Sequence, residues 1–416
     1  MAAPVQEIKT PQGFTVWLVE DHSLPIISAN LTFTGSGIAY DPKGKEGRAN
    51  ISASLLLEGA GNRDAKAFNA ALEEYAVRLN VGVDDDDIAA SFTTLSEHKD
   101  VAFSMLSDAL ARPRFDADAV ERARSKMQVL LVEQSQSPHY KLTRGFQESL
   151  YGTHSYSRIG IGTKESLDGL TADDFRDYIR RYLTRENVLI SVVGDVTAEE
   201  ISALFDASLG ALPERYNPDT AVADVNIPAS PDSRVIEHDI PQTIVAFGAE
   251  GIRRNDPDYI PAYVFNHALG GGGLNSMLAK EIRVKRGLAY SVNTQIDPKM
   301  HAAAWRGMFA TRNAQAKAAV AALKEVLAGV EKNGIDPVVL ADTKAYLTGS
   351  FILNFSSNQE IASFLAVMQR HRLGIDYFDK RNAMVEAVSM EDIKRVSARL
   401  IDPSRLRMVM VGKPEL

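Results

Sequence analysis

The sequence predicts an α+β fold made of two homologous halves, in each of which helices pack on a mainly antiparallel sheet. Two observations support this prediction: similar strings recur in both parts of the chain, and few strands alternate one-for-one with helices. The 416 residues suffice for two or three domains of roughly 150 residues each. Because 45% of the residues are hydrophobic, a chain of this length can bury a core without disulfides or metals.

The internal repeat rests on two pairs of strings, each pair about 220 residues apart. Residues 115–122 resemble residues 335–342, and both strings follow a long amphipathic helix and a turn. Residues 170–175 resemble residues 388–393, and both precede a helix and then a strand that ends in glycine. Two matches at nearly the same offset indicate a duplicated chain.

The boundary between the halves is expected in a polar, proline-containing stretch at residues 213–233, which is typical of a linker. We therefore predict an N-terminal domain at residues 1–212 and a C-terminal domain at residues 234–416. Thr171 and Ser389, one in each domain, have an acid three residues further on, so both are predicted to cap helices.

Each half is predicted to run through strands, then helices, then a closing strand. In the first half we expect strands at residues 14–20, 25–34 and 187–194, a hairpin at 81–83 and 88–95, and helices at 46–57, 64–79, 99–112 and 116–135. In the second half we expect strands at residues 234–250, 288–295, 301–310 and 405–412, and helices at 259–269 and 274–283.

Composition and charge exclude several classes of function. The 46 basic and 54 acidic residues give a net charge of −8, which argues against nucleic acid as the main partner. The absence of cysteine excludes disulfides, cysteine-ligated zinc, iron–sulfur clusters and a thiol nucleophile. No apolar run approaches the length of about 18 residues that a membrane span needs, so no span is expected.

A search for catalytic and metal-binding motifs leaves few candidates. No two of the eight histidines lie within one helical turn, so an H-x-x-E-H zinc helix is absent. P-loop and G-x-S-x-G motifs are also absent. The four aspartates at 84–87 have the charge to bind calcium but lack spaced ligands and glycine, so a solvated hairpin turn is the favoured interpretation.

Four consecutive glycines separate two predicted helices: Gly270, Gly271, Gly272 and Gly273. A dinucleotide-binding loop should follow a strand, so that interpretation is weak here. Two interpretations stay open. The run is either a helix–helix turn that needs positive φ or a mobile, backbone-rich loop that binds substrate at the mouth of a cleft.

The most specific feature of the second half is the string at residues 271–276, continued by residues 281–292. Together with residues 150–156 and 187–195, it resembles the insulinase/pitrilysin-like metallopeptidases, which carry an inverted zinc motif, and most of all their short processing-peptidase branch. The resemblance covers nearly the whole chain. It implies two peptidase-like domains arranged as a clamshell that admits unfolded peptides.

In catalytic members of that family, one helix carries H-x-x-E-H, whose histidines bind zinc while the glutamate activates water. The matching helix here has Asn50 and Ser54 at the histidine positions and Ala53 at the position of the base. The third ligand falls at Ala123 in the preferred alignment, or at Glu121 in an alternative one. The resemblance therefore implies that this chain binds no metal and is inactive alone.

Arg283 and Tyr290 match a pair that the family brings to its site from a second-half domain. The resemblance implies that the tyrosine hydroxyl donates to the developing oxyanion while the arginine helps to hold the substrate backbone. The alternative is that Arg283 is a solvated helix residue and Tyr290 a half-buried strand residue.

Loss of the zinc ligands together with retention of this pair favours the non-zinc-binding subunit of a heterodimeric zinc endopeptidase. A homologous partner with H-x-x-E-H would carry the zinc, and unfolded peptides, preferably basic ones, would be the substrates. A structural or peptide-binding subunit without catalysis is the main alternative, and an independent enzyme is the weakest one. We expect a periplasmic protein whose signal peptide is absent from this sequence, with a cytoplasmic location as the alternative.

Overall fold

The structure is a computed structural model that describes residues 4–416, and it contains mixed helices and sheets as the sequence predicts. Its strands are β1 (Gln6–Lys9), β2 (Thr15–Glu20), β3 (Ile26–Thr34), β4 (Gly59–Ala60), β5 (Arg63–Asp64), β6 (Arg78–Val83), β7 (Asp87–Leu95), β8 (Val188–Gly194), β9 (Asp232–Glu237), β10 (Gln242–Glu250), β11 (Val292–Pro298), β12 (Ala303–Arg312) and β13 (Arg407–Gly412). Its α-helices are α1 (Arg48–Leu55), α2 (Ala65–Glu74), α3 (Lys99–Ala111), α4 (Ala117–Gln136), α5 (Pro138–Tyr151), α6 (Lys164–Gly169), α7 (Ala172–Tyr182), α8 (Ala198–Leu209), α9 (Tyr259–Asn266), α10 (Ala316–Asn333), α11 (Pro337–Gly349), α12 (Asn358–Arg370), α13 (Tyr377–Glu386) and α14 (Met390–Leu400).

Five strands of each large sheet follow the same order, with β1 as an additional edge strand of the first sheet, which confirms the prediction of two homologous halves. The first sheet has the order β1-β2-β8-β3-β7-β6, and the second has the order β9-β13-β10-β12-β11. The closing strand of each half, β8 or β13, pairs parallel with one neighbour and antiparallel with the other. The other pairs in both sheets are antiparallel, as predicted. Strands β4 and β5 form a separate small pair.

The chain divides into two units, and each unit takes residues from both halves of the sequence. Unit 1 comprises the described residues up to Val132 together with Ile159–Val222 and Ile352–Phe378. Unit 2 comprises Glu133–Arg158, Ala223–Phe351 and Asp379–Leu416. This division differs from the predicted one, a single break between residues 1–212 and 234–416.

The difference arises because each large sheet is covered by a helix from the other half of the sequence. In unit 1, α12 packs on β3 and β8, and the Ser191 hydroxyl donates to the Ala362 carbonyl at 2.7 Å. In unit 2, α5 packs on β10 and β13, and a Cβ atom on Gly145 would lie 3.3 Å from Val409 of β13 and only 2.9 Å from Ile236 of the adjacent β9. The two helices stand at equivalent places in the repeat, so the exchange is reciprocal.

The predicted linker at residues 213–233 forms hydrogen bonds with residues outside it at several places. In unit 1 the Tyr216 hydroxyl donates to the Gly35 carbonyl at 2.7 Å. In unit 2 the Val225 N–H donates to the His301 carbonyl at 2.8 Å, and β9 begins at Asp232. The polar composition of this stretch therefore supplies specific hydrogen-bond partners in both units.

Several helix ends follow the local sequence closely. Thr171 and Ser389 both cap their helices and form complete capping boxes, as predicted. The predicted helix at 64–79 is too long, because α2 ends at Glu74 and Ala76 takes a φ of +51° before β6 begins. None of the helices within residues 4–416 is both long and apolar enough to cross a membrane.

Candidate functional site

Helix α1 of unit 1 carries the three positions at which the resemblance locates zinc chemistry. Asn50 and Ser54 lie one turn apart, and Ala53 is buried. The Asn50 amide donates to the Gly160 carbonyl at 2.7 Å, and the Ser54 hydroxyl donates to the Ile51 carbonyl at 2.8 Å. Both polar side chains are engaged with backbone carbonyls, and none of the three residues supplies a ligand that zinc prefers.

The two candidates for a third ligand do not alter this result. Glu121 on α4 is largely exposed and accepts a hydrogen bond from Arg124 at 2.5 Å, and Ala123 has no ligand atom. Within residues 4–416, no three histidine, aspartate or glutamate side chains converge in a group that could hold a metal ion. The residues present therefore do not fit a zinc ion.

The start of α1 is fixed by the buried carboxylate of Asp41. It accepts hydrogen bonds from the backbone N–H groups of Gly47 and Ala49, each at 3.0 Å. Burial raises the pKa of Asp41 to about 7, against the opposing effect of the Arg48 charge. Gly47 takes a φ of +95°, which glycine adopts without strain. The N-terminal end of α1 is thus held in place by the Asp41 carboxylate.

Arg48, whose side chain is 1% exposed, extends this buried network to the predicted linker. Its two terminal nitrogens donate to the Asp219 carboxylate at 2.8 and 3.0 Å, and the Tyr182 hydroxyl donates to the same carboxylate at 2.7 Å. Burial alone would raise the pKa of Asp219, but the hydrogen bonds from Arg48 and Tyr182 outweigh it and lower the pKa to about 2. Asp219 is therefore held as an anion within unit 1.

The four aspartates at 84–87 form the tip of the β6–β7 hairpin, and the prediction of a solvated turn is wrong for two of them. Asp86 and Asp87 are only 2% and 3% exposed. Arg370 of α12 forms ion pairs with Asp87, with Asp86 at 3.3 Å and with Asp84 at 3.7 Å. Helix α12 thus supplies, through Arg370, the positive charge that a calcium ion would supply in the alternative interpretation.

In unit 2, Arg283 and Tyr290 lie side by side. The guanidinium carbon of Arg283 is 4.6 Å from the ring centroid of Tyr290, which is a cation–π contact. Tyr290 is 78% exposed and precedes β11, so it is not the half-buried strand residue of the alternative interpretation. Its hydroxyl forms no hydrogen bond with any residue that the structure describes.

A sharp turn produces this contact. Arg283 belongs to a π-helical segment, Ala279–Lys285, and Gly287 follows with a φ of +61°. The Leu288 N–H then donates to the Ile282 carbonyl at 2.9 Å, which closes the turn. The seven-residue spacing of the pair therefore corresponds to one helical segment and one reversal of the chain.

The glycine run continues α9 as a π-helical turn, His267–Gly271, and then a 3₁₀ turn, Gly273–Asn275. A Cβ atom on Gly270 would lie 2.4 Å from the Thr294 Oγ1 atom, so the helix can approach β11 only with glycine there. Gly273 has a φ of +60°, the positive value that the helix–helix turn interpretation requires, and open space surrounds it. Exposed backbone at Gly271 and Gly273 is also what a binding loop would present.

Two protein-family models match this chain, and together they extend over most of its length. The family model described as Insulinase (Peptidase family M16) matches residues 15–164, and the model described as Peptidase M16 inactive domain matches residues 169–347. The chain belongs to the insulinase family, M16. The absence of zinc ligands on α1 is therefore a departure within the M16 family and not the property of an unrelated fold.

Relatives in the M16 family include proteins described as proteases and a protein described as a non-peptidase homolog. YmxG of Helicobacter pylori, described as a non-peptidase homolog, is 27% identical over 83% of this chain and 79% of its own. A Mycobacterium leprae protein described as an uncharacterized zinc protease is 25% identical over 96% of this chain and 90% of its own. The crystal structure of a peptidase M16 inactive domain from Pseudomonas fluorescens is 26% identical, with a TM-score of 0.92 over 99% of this chain and 98% of that one.

Sequence reasoning missed the charged groups that the fold brings together from distant segments. Arg370 and Asp87 are far apart in sequence, as are Arg48 and Asp219, and no local motif links either pair. It also missed a cavity beside the glycine run, which is lined by one segment near residue 275 and another near residue 342. The capping boxes could be predicted from the sequence, because the two residues that hydrogen-bond to each other lie within four positions along the chain.

Proposed function

We propose that this chain is a catalytically inactive M16 subunit that acts as the non-zinc-binding half of a heterodimeric zinc endopeptidase. The observation that carries the proposal is the contrast between α1 and the second half. Asn50, Ala53 and Ser54 remove the zinc site, whereas the Arg283–Tyr290 pair is present with its side chains in contact. A homologous partner with H-x-x-E-H supplies the zinc in this proposal.

The chemistry of Tyr290 suits a role in transition-state stabilisation. Its hydroxyl is exposed and has no partner among the described residues, so it is available to donate to a developing oxyanion. The Arg283 guanidinium over the ring restrains the ring orientation, and its remaining N–H groups can donate to the backbone carbonyls of a peptide. Unfolded peptides are the proposed substrates.

A second candidate function is a structural or peptide-binding subunit without any catalytic role. It is favoured by the name of the Helicobacter pylori relative, a non-peptidase homolog. It also accounts for the cation–π contact, since an arginine stacked on a surface tyrosine stabilises the local turn without any substrate.

The test is the peptidase activity of the complex formed by this chain and an H-x-x-E-H partner from the same organism. Tyr290→Phe removes one hydroxyl and keeps the ring, so kcat/KM of the complex should fall by about 100- to 1,000-fold, with most of the loss in kcat. Tyr140→Phe, on α5, is the matched control and should leave kcat/KM unchanged.

Two outcomes would contradict the proposal. An unchanged kcat/KM for the Tyr290→Phe complex, with the same thermal midpoint as the wild type, would remove the catalytic role of the pair. A stable complex that hydrolyses no peptide would favour the structural or peptide-binding subunit.

A further inference from the structure

Unit 2 contains a cavity of about 440 Å³ beside the glycine run, a size typical of small-ligand pockets. One wall comes from the segment that follows α9, and the other comes from α11. The polar and aromatic residues that line it are His267, Asn275, Ser276, Lys280, Asp342 and Tyr346. The proposed function makes no use of this cavity.

The cavity lining carries two exposed charged residues of opposite sign, Lys280 and Asp342. The Lys280 and Asp342 side chains form no ion pair or hydrogen bond with each other or with any other residue that the structure describes. Lys280 comes from the segment that follows α9 and Asp342 comes from α11, so one cavity carries a cation and an anion that do not pair with each other.

The two aromatic residues of the lining, His267 and Tyr346, form a flat surface. The His267 ring stacks on the Tyr346 ring, with centroids 5.1 Å apart and an angle of 22° between the planes. Burial lowers the pKa of His267, so the imidazole stays neutral near pH 7. A Cβ atom on Gly272 would lie 3.2 Å from the His267 Nε2 atom, so a glycine there lets the backbone close over the ring.

We propose that this cavity binds a zwitterion of the amino-acid type, either a free amino acid or a short peptide with two free ends. The α-ammonium group pairs with Asp342, the carboxylate pairs with Lys280, and a planar or apolar side chain lies against the stacked His267 and Tyr346 rings. Because His267 is neutral, the cavity lining carries one positive charge, on Lys280, and one negative charge, on Asp342. The proposal goes beyond the subunit function, because binding needs this chain alone and no partner.

The test is isothermal titration of the isolated full chain with the dipeptide Ala-Tyr, its N-acetylated form, its C-amidated form and free tyrosine. Blocking either end should weaken binding to the wild type by about tenfold, since each block removes one charge-assisted contact. Tighter binding of Ala-Tyr than of tyrosine assigns the site to peptides, and the reverse order assigns it to amino acids.

Variants identify which charge recognises which end. Asp342→Asn should bind Ala-Tyr and its N-acetylated form equally, and Lys280→Gln should bind Ala-Tyr and its C-amidated form equally. Glu331→Gln and Lys332→Gln at the end of α10 are matched controls and should behave as the wild type does. Equal binding of free and blocked dipeptides to the wild type, or no binding of any probe, would overturn the proposal and leave the subunit function untouched.

Discussion

Arg370 is the residue that compensates the acidic hairpin tip of unit 1. Three carboxylates, those of Asp84, Asp86 and Asp87, lie within ion-pair distance of its guanidinium group. Asp87 also accepts a hydrogen bond from the Gly35 N–H at 3.0 Å. Burial nevertheless raises the pKa of Asp87 to about 7, and the neighbouring Asp84 and Asp86 charges add to the effect.

This pKa predicts a pH dependence with a defined sign. The folded state holds the Asp87 proton up to about pH 7, whereas the unfolded chain releases it near 3.8. The stability from this group is therefore present below about pH 4 and is lost as the pH rises through 7. Wild type should lose more unfolding free energy than Asp87→Asn between pH 5 and pH 8, measured by urea unfolding.

Asp41, which has a similarly raised pKa, is present in both proteins, so its effect cancels in the comparison. A difference in unfolding free energy that does not change with pH would show that Asp87 is fully ionised in the folded state throughout this range. In that case the attraction of the Arg370 charge would outweigh the effect of burial on the pKa of Asp87.

At the scale of elements, the glycine run joins α9 to the segment that carries Arg283. Asn266, at the end of α9, accepts a hydrogen bond from the Trp305 indole at 3.0 Å and donates to the Thr294 carbonyl at 3.2 Å. Both contacts are buried and fix α9 against β11 and β12. Gly270 then packs on Thr294, and Gly273 makes the left-handed turn.

Two alanine substitutions should separate these roles. Gly270→Ala inserts a Cβ atom 2.4 Å from the Thr294 Oγ1 atom and should destabilise the protein by about 1–3 kcal/mol. Gly273→Ala meets no atom within 4 Å and should lose about 1–2 kcal/mol through backbone strain alone. A Thr294→Ala background should reduce the loss for Gly270→Ala and leave that for Gly273→Ala unchanged, as measured by urea unfolding. Equal losses in both backgrounds would contradict the packing account.

The elements whose causes are local could be predicted from the sequence. The capping boxes at Thr171 and Ser389 and the strands β2 and β3 depend on residues within a few positions of one another. The exchange of α5 and α12 could not be predicted, because either sheet can bury the same kind of apolar helix face. The loss of the zinc ligands, in contrast, could be predicted from the sequence, because three positions of the zinc motif lie close together on one helix.

At the scale of the whole molecule, the exchange means that neither half of the sequence contains its complete fold. The first sheet needs α12, whose Ala362, Leu365 and Met368 are buried in a cluster with Trp17 and Val193. A chain ending before residue 352 leaves that face of the sheet uncovered. Buried apolar area dominates stability, so the loss of one covering helix is severe for a sheet of this size.

Residues 1–222 expressed alone should therefore fail to unfold cooperatively and should bind a hydrophobic dye strongly. Co-expression of residues 1–222 with residues 223–416 is the control, and it should restore a soluble two-chain protein with a cooperative thermal transition. A cooperative transition of the 1–222 fragment alone, with no dye binding, would show that α12 is dispensable for unit 1.

We propose that this M16 chain binds no zinc itself and works beside a homologous zinc-bearing subunit. Native mass spectrometry of the complex captured from its own cells tests it most directly, because one spectrum reports partner mass, stoichiometry and bound metal. We predict one copy of this chain, one chain of similar size with H-x-x-E-H, and one zinc that stays with the partner when the complex is dissociated. A lone copy of this chain carrying zinc would contradict the account.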